Sequence, residues 1–143
     1  MNISTRFIVI DDDDFNNKIC TVTIEKIDQN ANIKTFIDPV EGLAHIASEY
    51  SRTDHDATAV LFLDINMPAM NGWEFLERFD DLDKEVKSRI KVYILSSSVD
   101  KRDMEKAKAN KHVLHYLIKP LTKETIRLVT YSQNREQKVV VMR

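Results

Sequence analysis

Five short apolar runs alternate with longer segments of helical spacing, and that alternation restricts the fold more than any other feature of the chain. The runs are Phe7–Ile10, Ile33–Ile37, Ala59–Leu63, Val92–Leu95 and Val113–Ile118. They are too short for helices, and their Ile, Val, Leu and Phe content suits strands covered on both faces. Between them, Cys20, Ile24 and Ile27 form one helical stripe, Val40, Leu43, Ala44 and Ala47 a second, and Phe75, Leu76, Phe79 and Leu82 a third. Lys101–Asn110 is weaker, with Met104 and Ala107 its main apolar residues, and Thr122–Ser132 places Thr125, Leu128 and Val129 on one side. Strict strand–helix alternation predicts an α/β fold with a parallel sheet and helices on both faces. Five strands suit the doubly wound order 2-1-3-4-5, in which ligands bind beyond the carboxyl ends of the first and third strands.

The chain is one domain long at 143 residues, and 43% hydrophobic with 31% charged residues is ordinary for a soluble globular protein. Residues 1–133 are expected to form that domain, and residues 134–143 a short tail without an output domain. The tail is polar and then ends VVVMR, which fits either a frayed end or a late-docking strand. A net charge of −2 speaks against a general nucleic-acid binder. The single cysteine, Cys20, allows no internal disulfide and no thiolate zinc site, and reads as a small buried hydrophobe. No basic leader precedes a long apolar run, and no stretch approaches the roughly 20 apolar residues that span a bilayer. A reducing, cytoplasmic setting is the default expectation.

The chemistry gathers where this fold places a site. The first strand runs into Asp11, Asp12, Asp13 and Asp14, and the third into Asp64. Asp13 and Asp14 read best as a helix start, where carboxylates meet the positive end of the helix dipole. Asp11 and Asp12 do not, because the end of a buried strand is a costly place for two idle charges. Carboxylates converging from adjacent strands repel unless a cation neutralises them, and hard oxygen donors without Cys or His favour Mg²⁺. Nucleotide and flavin sites need Gly-rich loops after the first strand, whereas Gly42 and Gly72 lie elsewhere. The fourth strand ends in Ser96, Ser97 and Ser98, and the fifth in Lys119 and Pro120. A hydroxyl and an ammonium at neighbouring strand ends can face the oxygens of one phosphoryl group.

FIVIDD, LFLDINMPAMNGWEFL, YILSSS and YLIKPLT resemble, in this order and across residues 6–132, the four signature segments of response-regulator receiver domains of two-component signalling, of the single-domain CheY-like type. The resemblance implies that Asp64 is the phosphoacceptor and that Asp11, Asp12, Asp64 and the Asn66 backbone carbonyl hold Mg²⁺, Asp11 often through water. It implies that Lys119 binds the phosphoryl group, that Ser96 is the hydroxyl switch residue and that Tyr116 is its aromatic counterpart. Ser96 would move to the phosphoryl group and open space that Tyr116 fills by rotating inward. The Lys119–Pro120 bond is expected to be cis. The implied partners are a sensor histidine kinase or histidine phosphotransfer protein, and a downstream protein bound through the face of the fourth helix, fifth strand and fifth helix. No nucleic acid or membrane partner is implied. A monomer is the default, with a homodimer through the same face as the alternative. Leu121 stands where Phe is frequent, and Ser96 where Thr is usual.

Two other functions are compatible with parts of the pattern. IVIDDDDF also resembles the first motif of haloacid-dehalogenase-like phosphatases, with Asp11 as nucleophile and Asp13 as acid/base, but a later acidic pair and a cap insertion are missing. A pseudo-receiver that only docks would not need Asp11, Asp12, Asp64, Ser96 and Lys119 together. No helix-turn-helix follows residue 132. Trp73 reads equally as an interface anchor or as cover for the helix beginning there. His45, His55, His112 and His115 are scattered without a carboxylate motif, and Lys101–Lys111 reads as a solvated helix face.

Overall fold

The computed structural model describes residues 5–131 and 141–142. Its sheet is parallel throughout and contains β1 (Arg6–Ile10), β2 (Asn32–Phe36), β3 (Ala59–Leu63), β4 (Ile90–Ser96) and β5 (Val113–Ile118) in the spatial order 2-1-3-4-5. A sixth strand, β6 (Val141–Met142), lies parallel to β5, with Tyr116 opposite Val141 and Leu117 opposite Met142. Of the tail, Val141 and Met142 form this strand, and residues 134–140 and 143 lie outside the described residues.

Helices α1 (Asp14–Ile27), α2 (Pro39–Glu49), α3 (Gly72–Asp80), α5 (Lys101–Ala109) and α6 (Lys123–Tyr131) follow the expected crossovers. A short additional helix, α4 (Lys84–Ser88), precedes β4, so the expected fourth and fifth helices are α5 and α6. Among the described residues, no helix is long and apolar enough to cross a membrane.

Two apolar layers hold the sheet. Ile8, Ile10, Leu61, Leu63, Val92 and Ile94 pack on one face with Ile46, Phe75 and Phe79 of α2 and α3. Phe7, Val9, Val60, Phe62, Tyr93 and Leu95 pack on the other with Cys20 and Ile24 of α1 and Ile126 and Val129 of α6. Alternate residues of β1, β3 and β4 therefore enter opposite layers, as the two-residue period of a strand requires. β3 is buried at all five positions. β2 departs from the expectation of double burial: it is the edge strand, and its side chains are exposed or half-buried.

Helix starts are set by local chemistry. Asp13, Asp38 and Asp100 each cap the helix that follows by accepting a backbone N–H, from Phe15, Val40 and Arg102 respectively; such a cap contributes about 1 kcal/mol. Asn71 and Glu74 form a reciprocal capping box on α3. The α2 stripe is rotated from its expected phase. Pro39, Gly42 and Ile46 are buried, whereas Val40 and Ala44 face solvent. Gly42 sets that phase, because a Cβ there would lie 2.6 Å from Ile10 Cδ1. On α6, Thr125, Ile126 and Val129 turn inward while Leu128 is exposed.

Candidate functional site

Sheet register brings the acidic strand ends together. Ile10 is opposite Leu63, the Asp64 N–H donates to the Ile10 carbonyl at 2.9 Å, and the Asp11 N–H donates to the Phe36 carbonyl at 3.0 Å. Asp11 and Asp64 consequently leave adjacent strands side by side. Carboxylate oxygens of Asp11, Asp12 and Asp64 lie within 4.8 Å of one another. Asp11 is 2% and Asp64 5% exposed, while Asp12 is open to solvent.

Lys119 reaches this cluster from the end of β5. Its Nζ donates to Asp11 Oδ2 at 2.7 Å and stands 3.8 Å from Asp64 Oδ1. The Lys119 N–H donates to the Ser96 carbonyl at 2.9 Å, locking the two strand ends together, and the Lys119–Pro120 bond is cis. Burial opposes the lysine's charge, but the hydrogen bond to Asp11 and the attraction of Asp64 and Asp11 outweigh it and hold the ammonium above its ordinary range. Burial first, and then repulsion from Asp11, push the Asp64 carboxyl up to about 6 despite the attraction of Lys119. One ammonium therefore leaves three carboxylates under-neutralised. An all-oxygen donor set in that state fits a hard divalent cation such as Mg²⁺. The loop that carries Asn66 is drawn against β3 by Gly72, whose N–H donates to the Ile65 carbonyl at 3.1 Å. A Cβ on Gly72 would lie 2.8 Å from the Asp64 carbonyl oxygen, so the Asn71–Gly72 pair serves a close approach of backbones rather than an unusual turn.

Ser96 and Tyr116 belong to a hydrogen-bonded group behind the cluster. Ser96 Oγ accepts the Ser98 N–H at 3.0 Å, Tyr116 Oη donates to the Ser98 carbonyl at 2.9 Å, and Ser98 Oγ donates to Asp103 Oδ2 at 2.7 Å. Both Ser96 and the Tyr116 ring are fully buried. The Tyr116 ring is held inside by its hydroxyl in this conformation.

Asn16 and Asn17, which no motif singles out, are turned inward beneath Asp11 by α1. Asn16 Nδ2 donates to Asp11 Oδ2 at 2.8 Å, and Asn17 Nδ2 to the Asp11 carbonyl at 3.0 Å. Two amides within the inward face of an otherwise apolar stripe were the available signal. Asp13 caps α1 and Asp14 pairs with Lys18 on the surface, as a helix start requires.

Outside the cluster, the fold pairs two histidines with carboxylates that are distant from any sequence motif, His55 with Glu49 and His112 with Asp80. His45 packs between Phe36 and Tyr50, and His115 stacks on Tyr93. Trp73 is half-buried against the core with Lys106 Nζ 5.8 Å from its ring centroid, so it covers the start of α3.

Comparison with known proteins agrees with this geometry. Residues 7–130 match the family described as response regulator receiver domain. No curated protein sequence matches the chain. Among solved structures, a response regulator receiver protein from Dyadobacter fermentans is 30% identical with a TM-score of 0.80, over 90% of this chain and 97% of that one. A two-component response regulator from Cytophaga hutchinsonii is 29% identical with a TM-score of 0.80, over 92% and 97%. The chemotaxis protein CheY4 of Vibrio cholerae, 23% identical with a TM-score of 0.65 over 92% and 98%, shares the fold. Strand order, acidic cluster and sequence match converge: this chain belongs to the response regulator receiver domain family, the signalling modules of two-component systems.

Proposed function

We propose that Asp64 accepts a phosphoryl group from the phosphohistidine of a histidine kinase or phosphotransfer protein, and that the protein signals through protein contact or phosphorelay. The observation that carries this reading is the placement of Asp64 in one cleft with Asp11, Asp12 and the Lys119 ammonium.

In the transfer, an Asp64 carboxylate oxygen forms a bond to phosphorus while the phosphorus–nitrogen bond of the donor breaks. The departing imidazole keeps the electron pair. Catalysis is then mainly positioning and electrostatics. Mg²⁺ held by Asp11, Asp12, Asp64 and the Asn66 carbonyl would neutralise charge on the phosphoryl oxygens and orient them toward Asp64. Lys119 supplies the complementary protein charge by turning from Asp11 toward the phosphoryl group. Ser96 exchanges the Ser98 N–H for a phosphoryl oxygen and thereby loosens the Ser98–Tyr116–Asp103 group. That links the cleft to α5 and β5, which with α6 form the proposed output face.

Asp11 is a poor nucleophile in this geometry, since its oxygens already receive Asp13 N–H, Asn16 and Lys119. This counts against the phosphatase reading. The test is incubation with Mg²⁺ and acetyl phosphate, followed by intact mass. The expected result is a gain of one phosphoryl group that is lost with EDTA and in Asp64→Asn. No adduct would point to a docking module, and steady ester hydrolysis dependent on Asp11 to a phosphatase.

A further inference from the structure

Asp11 is gripped from the α1 side by two consecutive buried amides. Asn17 holds its main chain, with Nδ2 donating to the Asp11 carbonyl at 3.0 Å and reaching the Phe36 carbonyl at 3.5 Å. Asn16, 7% exposed, holds its side chain, with Nδ2 2.8 Å from Oδ2. The other carboxylate oxygen, Oδ1, accepts the Asp13 N–H at 2.9 Å. An amide is an expensive residue to place beside Cys20 and Ile24 unless its donors are used.

Asn16 and Lys119 share one acceptor atom, since both reach Asp11 Oδ2, at 2.8 and 2.7 Å. Lys119 lies 3.8 Å from Asp64 Oδ1, beyond hydrogen-bonding distance, so a phosphoryl group carried on Asp64 would compete with Asp11 for its ammonium. When it turns away, a carboxylate that is 2% exposed loses the counter-charge on its Oδ2 side. A buried carboxylate short of partners would rotate or recruit water.

We infer that Asn16 is a positioning residue: it fixes the Asp11 carboxylate in one orientation both while Lys119 is bound to it and after Lys119 has turned to the phosphoryl group. The inference rests on the phosphoacceptor reading of Asp64. It assigns Asn16 a role exerted through Asp11, without contact with the reacting atoms. Asn17 by contrast fixes only backbone, tying the ends of β1 and β2 to α1.

The test compares wild type with Asn16→Ala, which deletes the donor, and Asn16→Leu, which deletes it while keeping the space filled. Calorimetric titration with Mg²⁺ alone, without phosphodonor, gives Kd. Thermal unfolding in EDTA reports folding separately, and beryllofluoride binding at saturating Mg²⁺ reports the loaded geometry. Both variants are expected to bind Mg²⁺ about 10-fold or more weakly, the loss typical when an outer partner of a metal-binding carboxylate is removed. Beryllofluoride affinity should fall even where Mg²⁺ saturates. If Asn16→Ala fails to fold, Asn16→Leu decides. A Kd within twofold of wild type, whatever the change in unfolding temperature, would make Asn16 a staple between helix and strand and overturn the inference. Failure of wild type to bind Mg²⁺ or gain a phosphoryl group would instead sink the phosphoacceptor reading, and the inference with it.

Discussion

Lys119 and Asp11, 108 residues apart in sequence, meet as an ion pair 2.7 Å long that closes the cleft from β5 to β1. Lys119→Ala leaves a nearly buried carboxylate with only the Asn16 amide and the Asp13 N–H. Urea unfolding in EDTA at pH 7 should show a loss of about 2–3 kcal/mol, below the full cost of an orphaned buried charge because two donors remain. The folded lysine's pKa is raised, so the pair's stabilisation is present through neutral pH and is lost as pH rises past the ordinary lysine value of 10.5. Phosphorylation by acetyl phosphate should slow by about 10²-fold. An unchanged rate would remove Lys119 from the transfer step.

Asp64→Asn should stabilise the protein in EDTA. The carboxyl's folded value of about 6 exceeds its ordinary 3.8, so between these values the folded state holds more protons than the unfolded state. Stability therefore falls as pH rises through this window, and above it the ionised group remains a constant penalty. The Asn variant removes that penalty, up to about 3 kcal/mol at pH 7.5, and should give little gain at pH 4. Thermal melts at the two pH values check it. A variant less stable than wild type at pH 7.5 would contradict the proposed repulsion.

Gly72→Ala should damage the cleft from a distance. Its Cβ would meet the Asp64 carbonyl oxygen and Ile65 Cα at 2.8 Å, both backbone atoms that cannot swing aside. A cost of about 1–3 kcal/mol and weakened Mg²⁺ binding by calorimetry are expected. Gly42→Ala should cost less, because it meets the movable end of the Ile10 side chain.

Tyr116→Phe keeps the buried ring and deletes the hydrogen bond to the Ser98 carbonyl. A loss of about 1 kcal/mol in chemical unfolding is expected, with acetyl phosphate labelling of Asp64 unaffected. Equal loss of labelling would place the tyrosine hydroxyl in the chemistry rather than behind it.

Cys20 should resist aromatic disulfide reagents in the native state. Burial, and then the negative charge of Asp11, push its thiol up to about 12. Reaction should therefore follow global unfolding, with one thiol titrating in denaturant. Rapid native labelling would mean that α1 opens locally.

The sheet was legible because β1, β3 and β4 are buried runs that end abruptly in Asp11, Asp64 and Ser96, a pattern with few other physical meanings. Two kinds of feature were not. The phase of α2 is set by Gly42 approaching Ile10, and a residue without a side chain is invisible to apolar periodicity. α4, with only Val86 buried, is too short to show a period at all. At the candidate site, Asp11, Asp12, Asp64 and Lys119 were readable from strand ends and family likeness. The inner partners of Asp11 and Ser98 were not, because Asn16 on α1 and Asp103 on α5 acquire meaning only from which oxygen each one faces.

The short pairing of Val141 and Met142 with Tyr116 and Leu117 has a consequence for who may touch β5. A sheet edge offers unpaired N–H and C=O groups to any extended chain, and here those of Tyr116 and Leu117 have a neighbour from the same polypeptide. A binding partner that seeks main-chain pairing at this edge meets a seat already taken. At these two residues it must either displace β6 or settle for side-chain contacts on α5 and α6.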